Sequence, residues 1–355
     1  VDVIGLWNRG NLLGVPNSGW KSWSMPDGTP VEMPGGFEYS LDGDGAALVY
    51  PQGDRTAGPS LKLPKGGFFL DNIPRAEPFS EEEILSDPAA AARRDFKDLY
   101  GVFSDEDAEH LEIESRRLFE ETDYGIIYNF GVGGLGDAAI IPGPYEKNPR
   151  GIRRLEDWYM AHLLYPEYIH GLFEMQTDIT LKNLEIARQA VGERIQVVNI
   201  SGSDFGSQQG EMISVEQFRE FYKPCYKKMN DWVHRNTKWK THFHCCGSIL
   251  RLLPEFIECG VDVLNPVQWT AAGMDPVILK KEFGGKLVFW GGGINTQKTL
   301  PFGTPEEVRR EALEKLAVLA PGGGFVFNTI HNILGKTPPE NIIALFDTAL
   351  EFGES

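Results

Sequence analysis

The chain has little cysteine and no long apolar run. Four cysteines in 355 residues, two of them adjacent as Cys245 and Cys246, do not make the evenly spaced framework of a disulfide-stapled secreted domain. They point instead to a reducing compartment with thiols open to metal. No stretch reaches the ~18 to 20 apolar residues of a membrane span. The opening VDVIGLWNRGN has no basic segment ahead of its apolar residues, as a signal peptide requires, so a cytoplasmic protein is expected. Basic runs are missing too: 34 Lys and Arg stand against 51 Asp and Glu, a net charge of −17. That balance opposes phosphate backbones and excludes nucleic acid as the main partner. Glycine-rich nucleotide motifs are also absent. GGLG at 133–136 and GGG at 291–293 and 322–324 lack both the P-loop Lys-Ser/Thr and the full GxGxxG spacing, so they read as turns at strand ends.

What is present is alternation. From about residue 124, short β-branched and aromatic runs alternate with longer amphipathic segments, the pattern of βα units around a parallel sheet. The strand candidates are YGIIYNF (124–130), IQVVNIS (195–201), KTHFHCC (240–246), DVLNPV (262–267), KLVFWGG (286–292) and GFVFNTI (324–330). Helix starts are marked by Ser104 with Asp107, Ser214 with Gln217, and Thr304 with Pro305 and Glu307. Residues 20–70 read as a β-hairpin excursion, because MPDGTP, LDGDG and PQGD place turn signals between short strand-like runs. With VDVIGL as a further strand the count is about seven, against eight for a (β/α)8 TIM barrel. A single TIM-barrel domain over 1–355 is therefore expected, with its first strand upstream of a chain that does not begin with Met.

The stretch THFHCCGSIL carries two of the seven histidines and two of the four cysteines. Strand side chains alternate, so His242, His244 and Cys246 share one face and Thr241, Phe243 and Cys245 the other. In a barrel the Phe243/Cys245 face meets the helices, leaving the His/His/Cys row inside, with Cys246 at the C-terminal end where such barrels keep their active sites. An imidazole and a thiolate two residues apart can share a Zn²⁺. A third ligand must come from another strand end, and His331, directly after FVFNTI, is the histidine so placed. The competing reading is a buried His/Cys strand without metal. Cys225 and Cys259 read as packing residues.

Other polar residues gather at strand ends. Asp204, just past IQVVNIS, is either a catalytic carboxylate or a helix cap. Asn265, Gln268 and Asn295, with Asp2, Asn8 and Arg9 flanking VIGLW, are candidates for the pocket, Asp2 as a second catalytic group and the others for substrate. Glu211 is, with Asp204, a candidate fourth ligand or proton relay. Trp269, Trp290, Phe130 and Trp7 suit an aromatic wall, Trp269 in particular contacting substrate, although core packing is the commoner use of such residues.

HCCGSI, with GVDVLNPVQ, FWGGGINTQ, FVFNTIHNI and TPPENI, resembles the uroporphyrinogen decarboxylase superfamily, most clearly from about 195 to 345 and more loosely back to residue 2. The resemblance implies a βα barrel and one of two chemistries: metal-free porphyrinogen decarboxylation, or zinc-dependent methyl transfer between small molecules and a corrinoid protein. His244-Cys245-Cys246-Gly247 is similar to the His-x-Cys-Gly zinc motif of methylcobamide:thiol methyltransferases, with His331 in the place of their second zinc cysteine. FNTIH also resembles a decarboxylase run ending in a substrate-binding histidine, and Asp2 resembles the decarboxylases' pyrrole-holding aspartate. The arginine-rich propionate segment of the decarboxylases is not visible. A His2Cys zinc of net charge about +1 is a stronger Lewis acid than a thiolate-rich one. The resemblance therefore implies an enzyme taking a methyl group from an ether-type donor, such as a methoxylated aromatic, to a corrinoid (cobalamin) carried by a partner protein. The alternatives are a decarboxylase-type lyase, a thiol methyltransferase, or a non-catalytic carrier barrel. A homo-oligomer is compatible with each.

Overall fold

The computed structural model describes residues 2–11, 13–75 and 79–354. Its contacts divide the chain into two compact units, Val1–Gln196 and Val197–Ser355.

In the first unit, β1 (Val3–Trp7) is followed by β2 (Lys21–Ser24), β3 (Pro30–Met33), β4 (Tyr39–Leu41), β5 (Ala47–Val49), β6 (Leu61–Leu63) and β7 (Asp71–Asn72). Then come α1 (Glu81–Ser86), α2 (Pro88–Phe96), α3 (Asp105–Glu121), β8 (Gly125–Asn129), α4 (Leu155–Leu164) and α5 (Pro166–Val191). The expected hairpin excursion is larger than one hairpin. β2 and β3 pair antiparallel, and β4 to β7 form a four-stranded antiparallel meander. Leu13, Val15, Phe37, Val49 and Leu61 bury themselves beneath these sheets with Trp23, Met33 and Tyr39 against them, enough apolar area to hold short strands together. β1 and β8 run parallel from Val3↔Gly125 to Trp7↔Asn129.

In the second unit, β9 (Val197–Ser201) leads to α6 (Val215–Gln217), which continues through a π-turn at Phe218–Tyr222 into α7 (Lys223–Asn236). β10 (Lys240–His244), α8 (Leu253–Glu258), β11 (Val263–Asn265), α9 (Pro276–Phe283) and β12 (Val288–Trp290) follow. α10 (Thr299–Phe302), α11 (Pro305–Leu319), β13 (Phe325–Val326) and α12 (Pro339–Glu354) complete it. The five strands are parallel in chain order. This is the α/β, TIM-barrel-like architecture that the alternation predicts. Among the described residues the parallel strands number seven, two in the first unit and five in the second. All three expected helix starts are reciprocal capping boxes, with Ser104, Ser214 and Thr304 each exchanging hydrogen bonds with the residue three positions on. No helix of the described residues is long and apolar enough to cross a membrane.

β10 is anchored from its outward face. Thr241 and Phe243 are buried, and the Phe243 ring lies 4.8 Å from both Tyr226 on α7 and Phe256 on α8. Phe205, Phe218 and Tyr222 extend the same cluster. Truncating Phe243 to Ala removes the central ring, and the unfolding free energy measured in urea is expected to fall by about 3–5 kcal/mol. Phe243→Leu, which keeps most of the volume, is expected to lose far less.

Candidate metal centre

β10 ends at His244, and Cys245, Cys246 and Gly247 turn away from the strand. Gly247 makes the turn possible. Its φ is +90°, and a Cβ there would overlap the carbonyl of Gly206 in the loop that follows β9. A Cβ on Gly206 would in turn sit 2.7 Å from the Cys246 carbonyl oxygen. Two glycines thus let the loops after β9 and β10 touch backbone to backbone. The contact is tied by the Ser248 N–H donating to the Ser207 carbonyl at 2.8 Å and the Phe205 N–H donating to Cys245 Sγ at 3.2 Å. Gln268 holds the turn from the other side, its Oε1 accepting the Gly247 N–H at 2.7 Å.

This arrangement brings Asp204, His244 and Cys246 together, with one donor atom from each lying within 4.8 Å of the others. His244 Nε2 is 3.3 Å from Cys246 Sγ and 3.9 Å from Asp204 Oδ1, and that same oxygen accepts the Cys246 N–H at 2.6 Å. Bonds of ~2.0–2.3 Å at tetrahedral angles place neighbouring donors roughly 3.3–3.8 Å apart, close to the 3.3 and 3.9 Å that His244 Nε2 keeps from Cys246 Sγ and Asp204 Oδ1. Burial, and then the Asp204 charge, push the Cys246 thiol up to about 12. A thiol that keeps its proton therefore stands beside an imidazole and a carboxyl group, and a divalent ion held there would take that proton's place. The donor set fits a metal.

His331, expected as the third ligand, lies outside this cluster. It is half-buried, and burial and then His244 lower its pKa while Asp204 raises it, so it stands within electrostatic reach of both. The third donor at hand is Asp204, which the sequence offered as a catalytic group or fourth ligand. Beneath His244 on the same face, His242 is buried, with Nδ1 3.1 Å from Asn199 Oδ1 and its ring edge-on to Trp290 at 5.4 Å. Burial and then His244 lower it to about 3, so it stays neutral. Sequence reasoning missed Asn199, although a polar residue at an inward position of IQVVNIS was the available signal. β9 carries one extra residue against β10, since His242 pairs Asn199 while Phe243 pairs Ser201. A bulge of this kind re-aims strand ends beside a site.

Other candidates carry local duties. Asn265 bridges His244 Nδ1 at 2.6 Å and the Trp290 carbonyl at 3.0 Å. Trp269 donates its indole N–H to the Gly292 carbonyl at 2.8 Å, and Lys315 covers its ring at 4.1 Å. Asn295 accepts the N–H groups of Gln297 and Lys298, closing its own turn. Glu211 accepts the Arg251 N–H and stays outside the cluster. In the first unit Asn8 is used on both ends, by the Phe130 carbonyl and the Tyr128 hydroxyl. Arg9 pairs with Glu106 and Asp107, and Phe130 is buried against Phe103 and Tyr128. Trp7 remains 65% exposed. Asp2 is exposed and precedes β1, at the N-terminal end of the strand, whereas groups that act in such barrels follow C-terminal ends.

The sequence pattern of the uroporphyrinogen decarboxylase (URO-D) family matches residues 149–352, more than half of the chain. The chain belongs to the URO-D family. The matched segment contains the whole Asp204/His244/Cys246 cluster and leaves Asp2, Asn8 and Arg9 outside it. Two curated relatives are uroporphyrinogen decarboxylases. That of Psychromonas ingrahamii is 24% identical over 180 residues, 50% of this chain and 46% of its own length. That of Trichodesmium erythraeum is 26% identical over 168 residues, 46% of this chain and 43% of its own. The chain thus spans less than half the length of these relatives. A methyltransferase from Methanosarcina mazei aligns in structure with a TM-score of 0.49 and 18% identity, over 69% of this chain and 64% of that one.

For this URO-D family chain, Gly247→Ala is expected to cost about 1–3 kcal/mol through its positive φ and the clash with Gly206. It should also displace Cys246, read as a lowered urea midpoint together with weakened Zn²⁺ or Co²⁺ uptake.

Proposed function

We propose that this chain is an enzyme that holds a zinc ion between His244, Cys246 and Asp204 and moves a methyl group from a small donor to a corrinoid carried by a partner protein. The observation that carries the reading is the convergence of three donors of different chemistry at the C-terminal ends of β9 and β10. A zinc ion held by three protein groups with one position left open acts as a Lewis acid on a substrate oxygen. Taking Asp204 in place of His331 lowers the expected net charge around a divalent ion from about +1 to about 0. Donor hardness, not charge, is then what favours an oxygen-bound methyl: one thiolate stands beside an imidazole and a carboxylate, a harder set than a thiolate-rich one. In the transfer the methyl–oxygen bond would break with its electron pair left on oxygen, which takes up a proton from water, while the reduced Co(I) corrinoid of the partner would supply the electron pair of the new bond to the methyl group. His331, within electrostatic reach of His244 and Asp204 but outside the ligand cluster, is assigned to holding the substrate oxygen. Trp290, on the inward face with His242, is assigned to an aryl group of the donor. Asp204 has a second task, since its Oδ1 fixes the Cys246 backbone and so sets where the sulfur points.

The curated relatives favour a second reading, a metal-free decarboxylase-type lyase. The exposed position of Asp2 before β1 counts against its serving as the pyrrole-holding aspartate in that reaction.

The purified chain is expected to hold about one zinc per molecule by elemental analysis and to demethylate a methoxylated aromatic with cob(I)alamin as acceptor. Cys246→Ala and His244→Ala should lose metal and turnover together while keeping the far-UV circular dichroism. Full activity after chelation, or tetrapyrrole decarboxylation indifferent to chelation, overturns the proposal. Zinc uptake must also remove the Cys246 proton, which is held on up to about 12. Titrations between about pH 6 and 8 should therefore release one proton from that thiol, with affinity rising up to roughly tenfold per pH unit. A pH-independent affinity would show that the thiol is not a ligand.

A further inference from the structure

The side-chain amide of Asn265 has two ends of the same shape, and only their hydrogen bonds tell oxygen from nitrogen. Here the bonds decide. One end lies 3.0 Å from the backbone carbonyl of Trp290, which accepts and never donates, so that end is the NH₂. The other end is therefore the oxygen, 2.6 Å from His244 Nδ1, and an amide oxygen only accepts. Nδ1 must carry the proton, and in a neutral imidazole that leaves the lone pair on Nε2. Nε2 is the atom that faces Cys246 Sγ at 3.3 Å and Asp204 Oδ1 at 3.9 Å.

We infer that Asn265 is a positioning residue that locks His244 in the Nδ1–H tautomer, using the Trp290 carbonyl as its reference and leaving Nε2 as a ready metal donor. The fold builds this relay from backbone. His244 and Asn265 are register partners on β10 and β11, and the Cys245 N–H donates to the Asn265 carbonyl at 2.7 Å. The Trp290 carbonyl is fixed at the end of β12, where the next N–H, of Gly291, donates to the Val326 carbonyl at 3.0 Å. Gly291 has a φ of +87°, and a Cβ on it would stand 3.4 Å from Asn265 Nδ2 and 2.8 Å from the Thr329 carbonyl. The positive φ and the Thr329 carbonyl therefore require glycine at 291, while a Cβ would meet the Asn265 amide only at ordinary van der Waals distance. No other side chain of this size does both jobs: Asp keeps the acceptor for Nδ1 but gives the Trp290 carbonyl no donor, and Leu has neither. A partner that fixes the tautomer of a metal-binding histidine is worth roughly 10–100-fold in metal affinity.

The tautomer does not depend on the methyltransferase reading, whereas its consequence for zinc rests on it. Two measurements therefore keep the two apart. Long-range ¹H–¹⁵N spectra of the metal-free chain at about pH 8, where an ordinary imidazole is neutral, should show His244 protonated at Nδ1. Asn265→Asp should keep that signature, and Asn265→Leu should lose it. Zinc affinity of Asn265→Leu should drop roughly 10–100-fold relative to wild type, with Asn265→Asp restoring most of it. An Nε2–H signature in the wild-type chain, or an unchanged signature in Asn265→Leu, overturns the inference. The wild-type spectrum suffices even if a variant does not fold. An Nδ1–H signature in a chain that takes up no zinc would leave the positioning role standing and remove the metal reading instead.

Discussion

The two-residue period of β10 is the constraint on which the candidate site depends. One row of this strand, Thr241 and Phe243, is buried, with Phe243 set between the helices α7 and α8. The opposite row, His242 and His244, is thereby pointed inward without any freedom of register. A slip by one residue would turn the imidazoles into the aromatic cluster and Phe243 into the interior. The apolar face thus fixes where the polar chemistry goes, and burial of the large rings stabilises that choice.

Beyond the strand's end the constraint passes to backbone. The turn that presents Cys246 exists because Gly206 and Gly247 have no Cβ, which lets two loops meet at a distance closed to any other residue. The polar groups around that contact are almost all engaged with main chain: Asp204 with the Cys246 N–H, Gln268 with the Gly247 N–H, Asn265 with the Trp290 carbonyl. Rigid main-chain partners hold side chains more sharply than other side chains do, because they carry no rotamer freedom of their own. The three donor groups accordingly converge from a supporting set that is itself fixed.

Much of this was legible along the chain. Capping boxes at Ser104, Ser214 and Thr304 mark helix starts because they satisfy local donors within four residues. The strand centres from β8 to β13 follow from β-branched and aromatic runs. The region 20–70 was less legible. Its turn signals announced a hairpin, yet β4 to β7 are strands of two or three residues each, held by the shared core around Phe37 and Val49, and no local pattern reports a core assembled from such distant pieces. Polar residues at strand ends were legible as a group and not by role. Asn8, Arg9, Gln268 and Asn295 each find a partner in the protein, and sequence carries no record of which polar group another segment will occupy.

The sequence by itself determined the alternating α/β order, the two-faced strand and the placing of His242 and His244 on its inward side, because these depend on spacing within a few residues, whereas Cys246 lies past the strand's end and is placed by the turn. Tertiary structure alone decided that Asp204 joins His244 and Cys246 while His331 stands outside, and that Asn265 serves a histidine. The reason is physical: those partners lie between 20 and 90 residues away along the chain, and their meeting is set by loop closure, strand register and the close approach of two glycines, none of which leaves a periodic trace in the sequence.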